Sequence, residues 1–297
     1  MAAAPRTLGD WLRWAERQYA RRRVALGQVA ATAHDEALYL LLHAAGLPLD
    51  SPAAVLRRKP PATVQARLAD IFRRRLEERV PAAYLTREAW LGGEKFYVDE
   101  RVLIPRSYFV ELLPEQIPPW LPAGRPVLRA ADVCTGSGCL AVLLARRFPR
   151  ARVDAIELSP GAVAVARFNL ARHRLTRRIR LWRSDVFDAV PAVKYDLIIS
   201  NPPYVPTRKL RGLPEEYKRE PALALDGGGD GLDIIRKILR QARERLQPHG
   251  VVVLEVGGLR AAMDRAFPEL DLHWLHTEDG EDCVCVVTAA RLRSWAA

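Results

Sequence analysis

Residues 196–206, DLIISNPPYVP, end an apolar run with an amide side chain, Asn201, directly before two prolines and Tyr204. Asn201 brings a side-chain carbonyl acceptor. Pro202 brings a backbone carbonyl and no N–H that would compete for a ligand. The residue before a proline is confined to extended conformations, so both acceptors are restricted before any ligand arrives. Two fixed acceptors suit a substrate carrying an NH₂ group. In an amide or aromatic amine the nitrogen lone pair is delocalised, which makes it a poor nucleophile. Receiving both hydrogens favours a pyramidal nitrogen and aims its lone pair at an electrophile. Tyr204 would pack against the flat group, beside Pro203. An Asn-Pro pair on its own can equally be a plain strand stop.

A second group of residues lies upstream. In DVCTGSGC, residues 132–139, Gly136 and Gly138 let the backbone turn tightly and approach a ligand at the start of a following helix. Nineteen residues after Gly138, a strand-like run ends at Glu157, an acid suited to accept hydrogen bonds from ribose hydroxyls. The next such run ends at Asp185, which could bind an adenine amino group or could be an ordinary capping aspartate. Gly136 to Ala141 also fits the relaxed dinucleotide form G-x-G-x-x-A, so the loop alone leaves nicotinamide cofactors and adenosylmethionine both open.

These residues must be brought together by the elements around them. From Val127 onward, strand-like segments alternate with helical ones: VLRAADVC, ARVDAIEL, RIRLWRSD, YDLIISN, GVVVLEVG and DCVCVVTAA. That alternation predicts an α/β fold, a parallel doubly wound sheet whose strand ends form one crevice. Residues 1–80 read as helices. One stripe comprises Ala37, Leu38, Leu41, Leu42 and Ala45, stopped by Gly46. Another comprises Val64, Leu68, Ile71, Phe72 and Leu76, and leaves Arg73, Arg74, Arg75 and Arg79 expected on a solvated surface. Residues 81–126 read as a hairpin linker turning at Gly92-Gly93, followed by a proline-rich approach, and residues 127–297 as the nucleotide-binding domain. The segment after the Asn-Pro-Pro motif, TRKLRGLPEEYKREPALALDGGGDG, is long for a connection and is expected to be a binding loop or lid.

The 297 residues, 49% of them hydrophobic, can supply a sizeable core. No apolar run approaches the roughly 20 residues that span a membrane, and no leader is evident at the amino terminus, so a cytoplasmic protein without membrane contact is expected. Cys134, Cys139, Cys283 and Cys285 lack metal-ligand spacing and read as small buried hydrophobes, with no metal expected. The net charge of +11 favours phosphate-rich partners, RNA and ribosomes among them.

Taken together, DVCTGSG, AIELSP, SDVF and ISNPPYVP resemble class I adenosylmethionine-dependent methyltransferases of the HemK-like group, which methylate the side-chain amide of glutamine in proteins. Methyltransferases of the adenine exocyclic amine share the Asn-Pro-Pro-Tyr core; nicotinamide enzymes do not. The resemblance covers nearly the whole chain. Within the group, RVPAAYLTREAWLGGEKFYVDERVLIPRS looks like the branch acting on large-subunit ribosomal protein three. The branch acting on the GGQ glutamine of release factors usually follows the Ile-Pro-Arg turn with proline, where this chain has Ser107.

The resemblance implies a class I fold, a doubly wound and mostly parallel sheet, behind a small N-terminal helical domain for substrate recognition and a β-hairpin linker, with S-adenosyl-L-methionine as cofactor. It implies cofactor contacts from Asp132, Thr135, Gly136, Ser137, Gly138, Glu157, Asp185, Val186 and Asn201, with the glycine loop at the methionine part, Glu157 at the ribose and Asp185 with Val186 at the adenine. Asn201, Pro202 and Tyr204 would be catalytic, and Phe96, Asn201, Pro202, Pro203 and Tyr204 would meet the substrate glutamine. Phe96 reads equally as core. Two departures stand out: Cys134 replaces the glycine of the commoner loop, and Val186 stands where the release-factor branch often has tryptophan. The implied partner is a ribosomal protein, free or in an assembling particle, with non-specific RNA contact. The alternatives are the GGQ glutamine of release factors, an adenine amine of nucleic acid, and a non-catalytic ribosome assembly factor.

Overall fold

The computed structural model describes residues 5–295, and the chain forms two compact units. The first takes in Met1–Ala89, Val98–Glu100 and Leu213–Arg219. Its helices are α1 (Leu8–Arg22), α2 (Ala33–Ala45), α3 (Ala62–Leu76) and α4 (Ala82–Thr86). Thr7 and Asp10 close a capping box at the start of α1, and Gly46, at φ 69°, ends α2 where the sequence places its stop. The apolar stripes meet in one core containing Leu12, Leu41, Leu68 and Phe72.

Arg75 departs from the solvated surface expected for it. It is completely buried, bonded through Nε to Glu36 at 2.7 Å and paired with Glu216 at 3.4 Å, while Arg79 also reaches Glu216 at 3.0 Å. Arg75 borders the apolar stripe of α3, and the acid that completes its pairing comes from the distant segment Leu213–Arg219. No local pattern could announce that partner.

The second unit takes in Trp90–Tyr97, Arg101–Gly212 and Glu220–Ala297. Strands β1 (Glu88–Leu91) and β2 (Glu94–Tyr97) form the hairpin expected at Gly92-Gly93, and α5 (Phe109–Glu115) is kept short by a run that includes Pro114. Then follow β3 (Arg129–Val133), α6 (Cys139–Arg147), β4 (Arg152–Glu157), α7 (Pro160–Arg172), β5 (Ile179–Arg183) and β6 (Tyr195–Ser200). After α8 (Thr207–Leu210) come α9 (Asp233–Arg245), β7 (Leu246–Glu255), α10 (Arg260–Ala266), β8 (His273–Leu275), β9 (Val284–Thr288) and α11 (Ala289–Ser294).

The large sheet runs β5-β4-β3-β6-β7-β9-β8. Strands β3 to β7 pair in parallel, whereas β9 is antiparallel to both β7 and β8. All six expected strands are present. The additional strand β8 has three residues, too few to show a period. The sheet is thus mostly parallel, as expected, with antiparallel pairing confined to the edge formed by β9 and β8. One face of the sheet packs Val153, Ala155, Leu197 and Ile199 with α6; the other packs Val133, Ile198 and Val252 with α9. From β3 the chain steps outward to β4 and β5, then returns to β6 on the other side of β3. The crevice between the carboxyl ends of β3 and β6 is thus the switch point at which such sheets take ligands.

Candidate active site

At that end of the sheet lies an open cleft, the place where sheets of this kind take ligands. Gly136, Glu157, Asp185, Val186, Asn201 and Pro203 line it, four strand ends contributing as the sequence predicts. Arg101, Val102 and Leu103 of the linker add another wall.

The turn after β3 holds two backbone conformations that L-residues seldom adopt. Cys134 has φ 62° and Gly136 φ 55°. Cys134 therefore keeps the left-handed geometry of the glycine it replaces, at the cost that geometry imposes on a residue with a β-carbon. Val186, after β5, has φ 52° although it is β-branched. Both strained residues border the cleft.

Glu157 is fixed by backbone donors: the N–H groups of Gly136 (2.9 Å) and Ser159 (2.8 Å) each take one carboxylate oxygen. Burial raises its pKa, and these donors oppose the rise. Each oxygen keeps further acceptor capacity. Asp185 pairs with Lys237 at 2.9 Å. Asp132, Thr135, Ser137 and Gly138 do not line the cleft; the first three are buried beneath the loop, where Thr135 Oγ1 donates to Asp132. The Oδ1 of Asp132 and the hydroxyl of Ser137 have no hydrogen-bond partner, and burial raises the Asp132 pKa to about 7.

Asn201 is held by a residue that the sequence does not single out. Its Nδ2 donates to Glu255 at 2.9 Å, at the end of the neighbouring strand β7. A carboxylate can only accept in that contact, which fixes the amide with its oxygen directed away from Glu255. Ser107 Oγ and the Tyr108 N–H, at 3.2 Å, donate to the other carboxylate oxygen. Burial raises the Glu255 pKa to about 7, against the lowering effect of these donors and Arg106. Ser107, the residue separating the two glutamine branches by sequence, thus touches the acid that orients Asn201. An acid ending a strand two residues before Gly257 was the only sequence signal for Glu255.

No donor among the described residues reaches the Asn201 Oδ1 or the Pro202 carbonyl. Tyr204 stands outside the cleft lining, its pKa raised to about 12 by burial, so it is a neutral phenol near neutral pH. Its ring rests on Gly257, where an added β-carbon would lie 2.6 Å from the ring. Its backbone rests on Gly231, where the same atom would lie 2.5 Å from the Tyr204 carbonyl oxygen. The long segment returns to the motif there: Val205 pairs with Asp226, and the Gly227 N–H donates to the Val205 carbonyl. Phe96 is fully buried, its ring 4.8 Å from that of His173, and does not line the cleft, a placement that suits the core reading.

The cleft fits a nucleoside cofactor: apolar Ile156, Leu158 and Val186 flank a half-buried carboxylate with acceptor capacity, and a left-handed loop brings backbone close. Residues 111–213 match the family model "Methyltransferase small domain". A ribosomal protein uL3 glutamine methyltransferase of Bordetella pertussis is 46% identical over 288 residues, covering 97% of each chain. Its namesake from Burkholderia pseudomallei is 45% identical, covering 97% of this chain and 96% of the relative. One from Neisseria meningitidis serogroup A is 44% identical, covering 96% and 94%. Among solved structures, the hMettl16 catalytic domain in complex with the MAT2A 3′UTR hairpin 6 aligns with a TM-score of 0.51 at 14% identity, covering 76% of this chain and 81% of that one. That likeness concerns the fold alone.

Proposed function

The chain belongs to the family of ribosomal protein uL3 glutamine methyltransferases, and from that premise we propose that it methylates a glutamine side-chain nitrogen of large-subunit ribosomal protein three in the cytoplasm. The observation that carries the reading is Asn201 in the cleft lining, its amide orientation set by Glu255 and its Oδ1 bonded by no described donor, next to buried Pro202, which does not line the cleft and whose carbonyl likewise has no described donor. A primary amide offers two N–H hydrogens to match these two oxygens.

In this reading Glu157 receives the ribose hydroxyls of S-adenosyl-L-methionine, Asp185 and Val186 border its adenine, and the Gly136 turn borders its methionine part. The cofactor supplies an electrophilic sulfonium methyl. Asn201 and Pro202 accept the two amide hydrogens, hold the plane of the group and favour a pyramidal nitrogen. Tyr204 and Pro203 support that group from the side. Once alkylated, the nitrogen is far more acidic than a neutral amide and releases its proton to water, so no strong base is needed. Glu255 keeps the Asn201 carbonyl aimed throughout. The positive charge of the chain supports work beside RNA on an assembling particle.

Incubation with methyl-labelled cofactor and unmethylated ribosomal extract tests the assignment. Label in large-subunit protein three supports it. Label in the GGQ peptide of a release factor, or label released by nuclease, contradicts it.

A further inference from the structure

The connection from β5 to β6, residues 184–194, passes two intervening strands and contains no helix, whereas β3–β4, β4–β5 and β6–β7 are each joined through at least one. A crossover helix normally covers the sheet face beneath it. Here the amino-terminal half of β3, β4 and β5 stays open on that face as a second cleft of about 790 Å³, at the other end of the strands from the first. Arg129, Arg152, Arg177 and Arg180 line it, together with Asp154 and Trp182.

Parallel register puts Arg129 beside Arg152, and Asp154 beside Arg180, on one face. Adjacent strands are about 4.8 Å apart, and like charges at that spacing repel. None of the four guanidinium groups has a hydrogen bond or ion pair to another described residue, unlike Arg236, which holds two aspartates. The one acid in the cleft is engaged: its oxygens accept from Trp182 Nε1 and Tyr195 Oη, both at 2.8 Å. The Arg180 guanidinium lies 3.8 Å from the centroid of the Trp182 ring.

Guarding an exposed sheet edge explains Arg180 on the edge strand β5. It does not explain Arg129, two strands inward. We propose that this open face binds the phosphodiester backbone of RNA. Guanidinium forks match phosphate oxygens in pairs, and the stacked Arg180–Trp182 plane offers a platform for a base, which a chain of carboxylates would not use. RNA binding at this face holds or fails independently of the acceptor amide.

Fluorescence anisotropy of the full chain with labelled single-stranded RNA across a potassium chloride series tests it. Replacing Arg152→Gln and Arg180→Gln should make the slope of log affinity against log salt shallower by about 1.4, roughly 0.7 for each phosphate no longer neutralised. Arg57→Gln with Arg58→Gln, an equal loss of charge at exposed positions of the helical unit, should change it by less than half as much. A second pair, Arg129→Gln with Arg177→Gln, should reproduce the first and serves if the first variant melts early. Equal slopes in all variants overturn the proposal. So does displacement of the RNA by polyglutamate as effective as displacement by unlabelled RNA, because the face would then suit an acidic protein.

Discussion

At the scale of single residues, Asn201 does its work through an oxygen that Glu255 aims. Asn201→Ala should lower kcat by about 10²- to 10³-fold, the cost of removing one oriented polar partner from a transition state, with cofactor affinity retained by isothermal titration. Glu255→Gln tests the orienting acid from another side. Burial raises its pKa from 4.5 to about 7, so the folded state holds its proton more tightly than the unfolded chain does. Wild-type stability must therefore fall as pH rises from 4.5 to 7, a loss of up to about 3 kcal/mol from this group. The variant cannot ionise there, so the melting temperature of wild type relative to Glu255→Gln should drop across that window. A pH-independent difference would contradict the burial account. Asn201 was legible in sequence because proline on its carboxyl side restricts it. Glu255 was not, because its meaning depends on the neighbour that strand pairing supplies, 54 residues away.

At the scale of elements, the strand ends were legible because α/β alternation and the glycine loop are local signals. The rest depended on contacts made at long range. Asp132, Thr135 and Ser137 sit in the motif yet lie beneath it, since a turn with left-handed Cys134 and Gly136 exposes some residues by burying others. The DGGGDG stretch ends the segment expected to be a binding loop or lid, and its Gly231 is needed where it meets the backbone of Tyr204. Gly257 does the same for the Tyr204 ring. Gly257→Ala forces a methyl to 2.6 Å from that ring and should destabilise the fold by about 1–3 kcal/mol. Turnover should fall more than cofactor affinity, as read from kcat and from direct titration, because the shift is at Tyr204 and not at Glu157.

At the scale of the whole molecule, the division into two units does not follow the chain simply. The segment Leu213–Arg219, which lies within the loop following the Asn-Pro-Pro motif, belongs to the helical unit, and its Glu216 helps neutralise buried Arg75. Glu216→Ala leaves that guanidinium with Glu36 as its one acidic partner beside the Ala25 carbonyl and should cost about 3 kcal/mol, seen as a lower urea midpoint. Arginine-rich α3 looks like a solvated surface in sequence because hydrophobic periodicity cannot register a partner so distant along the chain. The net charge was readable from composition; the gathering of Arg129, Arg152, Arg177 and Arg180 around one cleft was not, because that required a crossover without a helix.

The most direct test of the account is tandem mass spectrometry of large-subunit ribosomal protein three after reaction with methyl-labelled cofactor. The account predicts one added methyl on a glutamine side-chain nitrogen with the wild-type chain, and its loss with Asn201→Ala at unchanged cofactor binding. A methyl on any other atom, or full transfer by the Asn201→Ala variant, would contradict it.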